Sequence, residues 1–189
     1  MLNISTSITE KHSYHNFSMK EKTPIGKINL RGNLDNKEFV STVGKILGMI
    51  LPKESCSTST KEKISSLWLG PNEWLIVSND EMSKETNTYE LEHVLFNNIS
   101  KTNLGSVTNV TDQFTIFTLS GSNIFKILSK GCPFDFDSNK FTDNKVVQTI
   151  LNHIDVTLYK KNETNVDLYV RRSFADHLWQ WLKDSANLI

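Results

Sequence analysis

Ser173, Asp176 and His177 bring together the side-chain types of a nucleophile, an acid and a base within one short stretch. On a helix, positions 173 and 177 lie one above the other, whereas the adjacent positions 176 and 177 point in different directions. A hydrogen-bonded relay of these three side chains therefore cannot form locally. We expect Ser173 to cap a helix and His177 to pack at its edge.

Other arrangements that carry chemistry are missing from the sequence. The five histidines include no His-Glu-x-x-His pair, and Cys56 and Cys132 have neither a nearby cysteine nor a histidine at ligand spacing. The eight glycines form no Gly-x-Gly-x-x-Gly loop for a phosphate. Asp135 and Asp137 alternate beside Pro133, which predicts a solvated loop. The sequence thus predicts no catalytic residue, cofactor-binding residue or metal ligand in this chain.

Tryptophan and arginine give a different signal. Trp179 falls on another side of the last predicted helix from Trp181, which shares the apolar stripe, and Arg171 and Arg172 come just before that helix. An exposed tryptophan beside arginine is typical of the core of a protein interface, although a large ring can equally cover the edge of a domain. The candidate core or interface positions are Trp68, Trp74, Arg172 and Trp179.

Periodicity predicts the elements that position these residues. Asp35 is the expected cap of a first helix that ends at Pro52, and a polar connection at 53–65 leads to a strand hairpin at 67–77. The last predicted helix begins at Ser173, with inward positions Phe174, Leu178, Trp181, Leu182 and Ser185. The remaining predictions are a strand at 26–31, a helix at 91–99, a strand region at 107–119, a short helix after Ser122, and strands at 146–151, 154–158 and 166–170.

Length and charge limit the class of protein. The 189 residues carry 21 basic and 21 acidic side chains, which favours one soluble domain and argues against a nucleic-acid or membrane-surface partner. Residues 1–24 are polar and without a period, so they predict an N-terminal arm ahead of a single domain at 25–189. Neither a secretory signal nor a membrane span is evident, which predicts a cytoplasmic location.

The order of the elements predicts the fold class. Strands and helices mix in both halves of the chain, which favours an α+β fold of antiparallel sheets with packed helices over a doubly wound parallel sheet. The similar make-up of the two halves indicates a pseudo-duplicated core.

Four stretches together resemble the gamma subunit of heterotetrameric sarcosine oxidase. The most specific is Arg-Ser-Phe-Ala-Asp-His-Leu-Trp-Gln-Trp-Leu at 172–182, because it joins a double-tryptophan helix to the Arg-Ser cap. The others are Leu-Gly-Pro-Asn-Glu-Trp-Leu at 69–75, Val-Thr-Asn-Val-Thr-Asp-Gln-Phe at 107–114, and Leu-Ser-Gly at 119–121 leading to Leu-Ser-Lys-Gly-Cys-Pro-Phe-Asp at 128–135.

This resemblance implies a fold similar to the folate-binding domain of aminomethyltransferases. It also implies a noncatalytic subunit of an oxidoreductase complex that demethylates sarcosine to glycine and passes the one-carbon unit to tetrahydrofolate. The flavins and the tetrahydrofolate site would then belong to the other subunits of the heterotetramer, which are the expected partners, and this chain would carry no cofactor.

Three alternatives remain open at this point. One is a stand-alone folate-binding module, and another is the small subunit of a related N-methyl amine oxidoreductase. The third is a regulatory or assembly factor that binds the catalytic subunits transiently.

Overall fold

The computed structural model describes residues 5–80, 82–83, 88–136 and 141–189. The chain divides into two compact units. Ile25–Thr111 makes up the first unit, and Ser5–Pro24 together with Asp112–Ile189 makes up the second. The sequence predicted one domain from residue 25 onward; the structure instead separates the chain at Thr111, where a turn follows the last strand of the first unit.

The elements of the described residues alternate along the chain as follows. The strands are β1 (Lys11–Tyr14), β2 (Phe17–Glu21), β3 (Gly26–Gly32), β4 (Thr58–Lys61), β5 (Ile64–Gly70), β6 (Glu73–Ser78), β7 (Gly105–Asn109), β8 (Phe114–Ser120), β9 (Lys145–Leu151), β10 (Ile154–Asn162) and β11 (Asn165–Arg171). The α-helices are α1 (Lys37–Leu47), α2 (Glu90–Leu95), α3 (Ile124–Leu128) and α4 (Ala175–Asn187). A π-helical turn (Phe96–Ser100) continues α2, and a 3-10 turn (Arg172–Phe174) precedes α4.

The first unit is a five-stranded antiparallel sheet in the order β4-β5-β6-β3-β7. Helices α1 and α2 supply apolar side chains to a core shared with one face of this sheet. Their buried contacts include Phe39, Leu47 and Leu95. The helices stay on the sheet because this apolar stripe leaves water when they pack.

Helix α1 begins one residue after its predicted start and ends well before Pro52, its predicted end. The side chain of Asn36, rather than that of Asp35, accepts hydrogen bonds from the backbone N–H groups of Glu38 and Phe39. The helix ends at Gly48, whose φ of 65° is left-handed and suits a residue without a Cβ. Pro52 therefore comes after the end of the helix, and the last residues of the predicted apolar stripe belong to a loop.

The second unit is a six-stranded antiparallel sheet in the order β1-β2-β8-β11-β10-β9. We call the face that packs against α3 and α4 the core face, and the opposite side the outer face. Alternation along β11 sends Val166, Leu168 and Val170 to the core face and places Asp167 and Tyr169 on the outer face.

The predicted N-terminal arm at 1–24 is wrong for residues 11–21, because they form β1 and β2 of this sheet. Phe17 and Met19 are buried in the core, while Ser18 and Lys20 point the other way. Lysine, serine and histidine at the exposed positions hid this alternation from the sequence. Residues 53–65 likewise contain β4, an edge strand made almost entirely of polar side chains.

The last helix also differs from its prediction. Because Arg172–Phe174 is a 3-10 turn, the α-helix starts at Ala175 and its buried stripe is rotated. Phe174 is exposed and Trp181 is only partly buried. The stripe that reaches the core is Ala175, Leu178, Trp179, Leu182, Ser185 and Ala186.

The α+β prediction is confirmed, since both sheets are antiparallel and each has helices packed on one face. The repetition of this layout in two units agrees with the predicted pseudo-duplication. In the part of the chain that the structure describes, no helix is long and apolar enough to cross a membrane.

Candidate interaction surface

The four candidate positions fall two in each unit. Trp68 and Trp74 lie directly opposite each other on β5 and β6 of the first unit. Arg172 and Trp179 lie in the 3-10 turn and in α4 of the second unit. Each pair is therefore considered with its own core.

Trp74 belongs to the core of the first unit, which is the first of the two roles considered for it. Its side chain is fully buried, its ring centroid lies 6.2 Å from that of Phe39, and its indole N–H donates to the Pro52 carbonyl oxygen at 2.8 Å. A ring that is enclosed and has its only donor satisfied offers nothing to a partner. Trp68 is half-buried against the same core, and its buried indole nitrogen has no hydrogen-bond partner within the described residues.

Trp179 is likewise a core residue, and the prediction that it lies on the exposed side of the helix is wrong. It is fully buried and packs edge to face on Phe117, with ring centroids 5.3 Å apart. Its indole N–H donates to Glu10 Oε1 at 3.0 Å, and Lys183 Nζ lies 3.2 Å from the same oxygen. The Trp179 hydrogen bond, and then Lys183, lower the pKa of Glu10.

Arg172 uses its donors within the second unit. Its Nη2 donates to the Ser5 carbonyl oxygen at 2.8 Å, and its Nη1 lies 3.9 Å from Asp112 Oδ1. Its backbone N–H donates to the Gln113 carbonyl oxygen. The guanidinium thus ties the segment before β1 and the turn before β8 to the start of α4, although 37% of the side chain stays exposed. Of the four candidates, only Arg172 and Trp68 retain surface.

The short Ser173, Asp176 and His177 stretch forms no relay. Asp176 and His177 are exposed, and His177 Nε2 lies 3.3 Å from the side-chain amide nitrogen, Nδ2, of Asn152. Asp135 is exposed as predicted, while Asp137 lies outside the described residues. Within the described ranges, no group of three or more histidine, cysteine, aspartate or glutamate side chains is arranged to hold a metal ion.

A buried lysine on the core face was missed by the sequence analysis. Lys160 Nζ donates to the Phe141 carbonyl oxygen at 2.9 Å and to Glu163 Oε1 at 2.8 Å. Asp143 Oδ1 lies 3.9 Å away, and the nitrogen lies 5.1 Å from the ring centroid of Phe125. The signal was available: Lys160 follows the inward positions 154, 156 and 158 of β10 at the same spacing of two.

The Phe125 and Phe141 rings beside this ammonium belong to a cluster of four phenylalanines. Ring centroids in the group are 5.2 to 6.2 Å apart, in tilted and edge-to-face arrangements. A cation beside ring faces is stabilised by their negative quadrupole. Groups of the same unit thus pair with Lys160 and surround its ammonium on the core face. The four rings are Phe125, Phe134, Phe136 and Phe141.

The outer face holds a buried carboxylate that the sequence analysis also missed. Asp167 is almost fully buried; one of its oxygens lies 2.6 Å from Lys161 Nζ and 4.0 Å from Lys22 Nζ, and the Thr118 hydroxyl donates to the other at 3.1 Å. Burial lowers the pKa of Lys22, with Asp167 acting in the opposite direction. Burial, and then the nearby Asp167 charge, raise the pKa of Tyr169 well above its ordinary value.

Comparison with known proteins identifies the family of this chain. A family model described as "Sarcosine oxidase, gamma subunit family" matches residues 31–187. The chain belongs to the sarcosine oxidase gamma subunit family. The match includes all four candidate positions, strands β4 to β11 and the end of β3, whereas β1 and β2 precede it.

Individual members of the gamma subunit family are moderately similar in sequence. The sarcosine oxidase subunit gamma of Corynebacterium sp. (strain U-96) is 28% identical over 63% of this chain, and that of strain P-1 is 27% identical over 77%. The subunit gamma of an Arthrobacter species is 28% identical over 74%. The aligned parts span 54%, 68% and 65% of these three relatives, so the match to the first covers about half of its length.

Solved structures establish the same fold. A chain of the heterotetrameric sarcosine oxidase from Corynebacterium sp. U-96 superposes with a TM-score of 0.80 at 23% identity, covering 90% of this chain and 84% of that one. The glycine cleavage system aminomethyltransferase T from Bartonella henselae superposes with a TM-score of 0.60 at 14% identity, covering 89% of this chain and 46% of that one. The expected likeness to an aminomethyltransferase fold is confirmed.

Proposed function

We propose that this chain is the gamma subunit of a heterotetrameric oxidase that demethylates sarcosine to glycine. The observation that carries the proposal is the family match over residues 31–187. The superposition on a chain of a heterotetrameric sarcosine oxidase supports it through the fold. The other subunits of the oxidase are then the partners of this chain.

Within that complex the chain has a structural role. Three of the four candidate positions make contacts within their own units: the two buried tryptophans donate to oxygens of those units, and Arg172 joins segments of the second unit. We assign the flavins, and the tetrahydrofolate that accepts the one-carbon unit, to the partner subunits. The gamma subunit contributes the surface that holds those subunits together.

The test is to tag the chain in its native host and purify it under mild conditions. We expect equimolar partner subunits, a flavin absorbance spectrum, and peroxide formation that depends on sarcosine. If flavin and equimolar partners co-purify but sarcosine is not turned over, we would conclude that the complex oxidises another N-methyl amine. Partners at well below one equivalent would favour a transient assembly factor.

A second candidate is a stand-alone folate-binding module, favoured by the superposition on aminomethyltransferase T. Fold likeness alone does not transfer a ligand site. The isolated chain should bind tetrahydrofolate with micromolar affinity if this candidate is right, and calorimetric titration measures it directly. A chain that purifies alone, colourless and able to bind tetrahydrofolate would exclude the subunit role and support this one.

A further inference from the structure

Lysines face each other at the edge of the six-stranded sheet. Lys11 on β1 lies directly opposite Lys20 on β2, and both are exposed. Like charges in this position repel, because the Cβ atoms of directly opposed residues are about 5 Å apart. Within the described residues neither lysine forms an ion pair. The pairing of β1 with β2 therefore includes a repulsion between Lys11 and Lys20, and an acidic residue at either position would remove it.

The same charge continues across the outer face. Lys20 lies opposite Thr118 of β8, which lies opposite Asp167 of β11, so these three positions share that face. Lys22 and Lys161 approach the same Asp167 oxygen. We call Lys11, Lys20, Lys22 and Lys161 the lysine row; its four ammonium groups are accompanied by one buried carboxylate.

The acidic residues closest in sequence to the lysine row are already engaged elsewhere. Glu10 accepts from Trp179 and Lys183, and Glu21 accepts from the backbone N–H groups of Ser7 and Ile8. Glu163 holds Lys160 on the core face. These three carboxylates are therefore not available to neutralise the lysine row. An anionic partner from another chain would neutralise it.

The dimensions of the row indicate the form of that partner. From β1, which carries Lys11, to β10, which carries Lys161, the row crosses four strand spacings, about 19 Å at roughly 4.8 Å each. One small anion reaches only a neighbouring pair of these lysines. An extended stretch of about six residues with several carboxylates spans the whole row, since an extended chain advances about 3.3 Å per residue.

We propose that the lysine row is a docking surface for an acidic segment of another subunit of the oxidase. This inference rests on the function proposed above, and it adds the chemistry by which the partner is recognised. Complementary charge of this kind sets orientation and speeds association more than it adds affinity. Lys22 and Lys161 are held by Asp167, whereas Lys11 and Lys20 are exposed for direct contact.

The test measures binding of this chain to the remaining oxidase subunits, co-purified without it, at about 50 and 200 mM salt. Lys11→Glu is the main variant, because it places opposite charges across β1 and β2 and so favours the folded strand pair while weakening the row. We expect wild-type affinity to fall at the higher salt, and Lys11→Glu to bind at least tenfold more weakly at the lower salt with little salt dependence. Lys11→Glu with Lys20→Glu should bind more weakly still.

Lys37→Glu is the matched control for Lys11→Glu, and Lys37→Glu with Lys45→Glu is the matched control for the double variant, because each makes the same change of charge at exposed positions of α1 in the other unit. We expect both controls to bind within about twofold of wild type. Thermal melting of every variant establishes that it is folded. Equal binding of Lys11→Glu and wild type would overturn the docking proposal and leave the subunit role intact, whereas a wild-type chain that binds no subunit would overturn both.

A lysine at a sheet edge can also serve to prevent pairing between copies of a chain. That role predicts that Lys11→Ser with Lys20→Ser self-associates and still binds the oxidase subunits normally. Sedimentation of the free variant separates the two roles, and this combined result would overturn the docking proposal.

Discussion

The two faces of the six-stranded sheet treat lysine in opposite ways. On the core face, Lys160 is buried, and a carbonyl, a carboxylate and aromatic rings of its own unit satisfy it. On the outer face, Lys22 and Lys161 share the Asp167 carboxylate, whereas Lys11 and Lys20 are exposed and form no ion pair within the described residues. A lysine that is buried in the fold is thus neutralised within its own unit, whereas the exposed lysines of the outer face are available to a partner.

Replacing Lys160 by alanine should have the largest effect on stability. The substitution leaves the Phe141 carbonyl oxygen without its donor and opens a cavity beside the Phe125 ring, so we expect a loss of about 2–4 kcal/mol in the free energy of unfolding. Lys160→Met keeps much of the volume and should lose about half as much. Urea denaturation measures both, and an alanine variant as stable as wild type would show that the core face does not need this charge.

Replacing Asp167 by asparagine should have a smaller effect. The amide can still accept from Thr118, but Lys22 and Lys161 lose their counter-charge, and both can turn toward water because their side chains are partly exposed. We expect a loss of about 1–2 kcal/mol. Thr118→Ser, which retains the hydroxyl, is the control. An Asp167→Asn variant more stable than wild type would mean that the desolvation of this carboxylate destabilises the fold by more than its attraction to Lys22 and Lys161 stabilises it.

The buried Tyr169 should make the free energy of unfolding depend on pH in the alkaline range. Its pKa is raised in the folded state by burial and by Asp167, so the folded state keeps the proton after the unfolded state releases it. The contribution of Tyr169 is therefore complete below a pH of about 10 and decreases as the pH rises above that value. Tyr169→Phe should flatten the alkaline limb of stability, measured by urea denaturation from pH 8 to 11. An unchanged limb would contradict this assignment.

Lys11→Glu should have the smallest effect on the free chain, and its sign is the informative quantity. Removing the repulsion with Lys20 should stabilise the chain by a few tenths of a kcal/mol, about 0.2–0.5. High salt should shrink the gain, since the charges are exposed. A destabilised variant in thermal melts would mean that Lys11 has a favourable contact in the strand pair.

The sequence predicted those elements whose side chains repeat with a regular period. The hairpin around Gly70 was found because two apolar runs flank a Gly-Pro-Asn turn, and the strands after Lys145 were found from their apolar residues and the polar loop between the last two. The strands β1 and β2 were missed because only Phe17 and Met19 mark their buried face. In edge strands built from polar residues, the alternation of apolar and polar side chains is too weak to distinguish a strand from a loop.

The candidate positions were harder to predict than the fold. Helix α4 begins at Ala175 after a 3-10 turn, and it buries Trp179 fully and Trp181 only partly, whereas Trp181 was expected on the core side and Trp179 on another side. Likewise, the pairing of Lys11 with Lys20 depends on a strand register that the sequence does not state. The inward position of Lys160, in contrast, follows from its spacing along β10 and could have been predicted.

Native mass spectrometry of this chain co-expressed with the other oxidase subunits tests the central claim most directly. The account predicts a single assembly with one copy of this chain per heterotetramer, which separates into this chain and the remaining subunits more readily when Lys11→Glu is introduced. An assembly of the other subunits that contains none of this chain, with the co-expressed 189-residue chain present only as a free monomer, would contradict it.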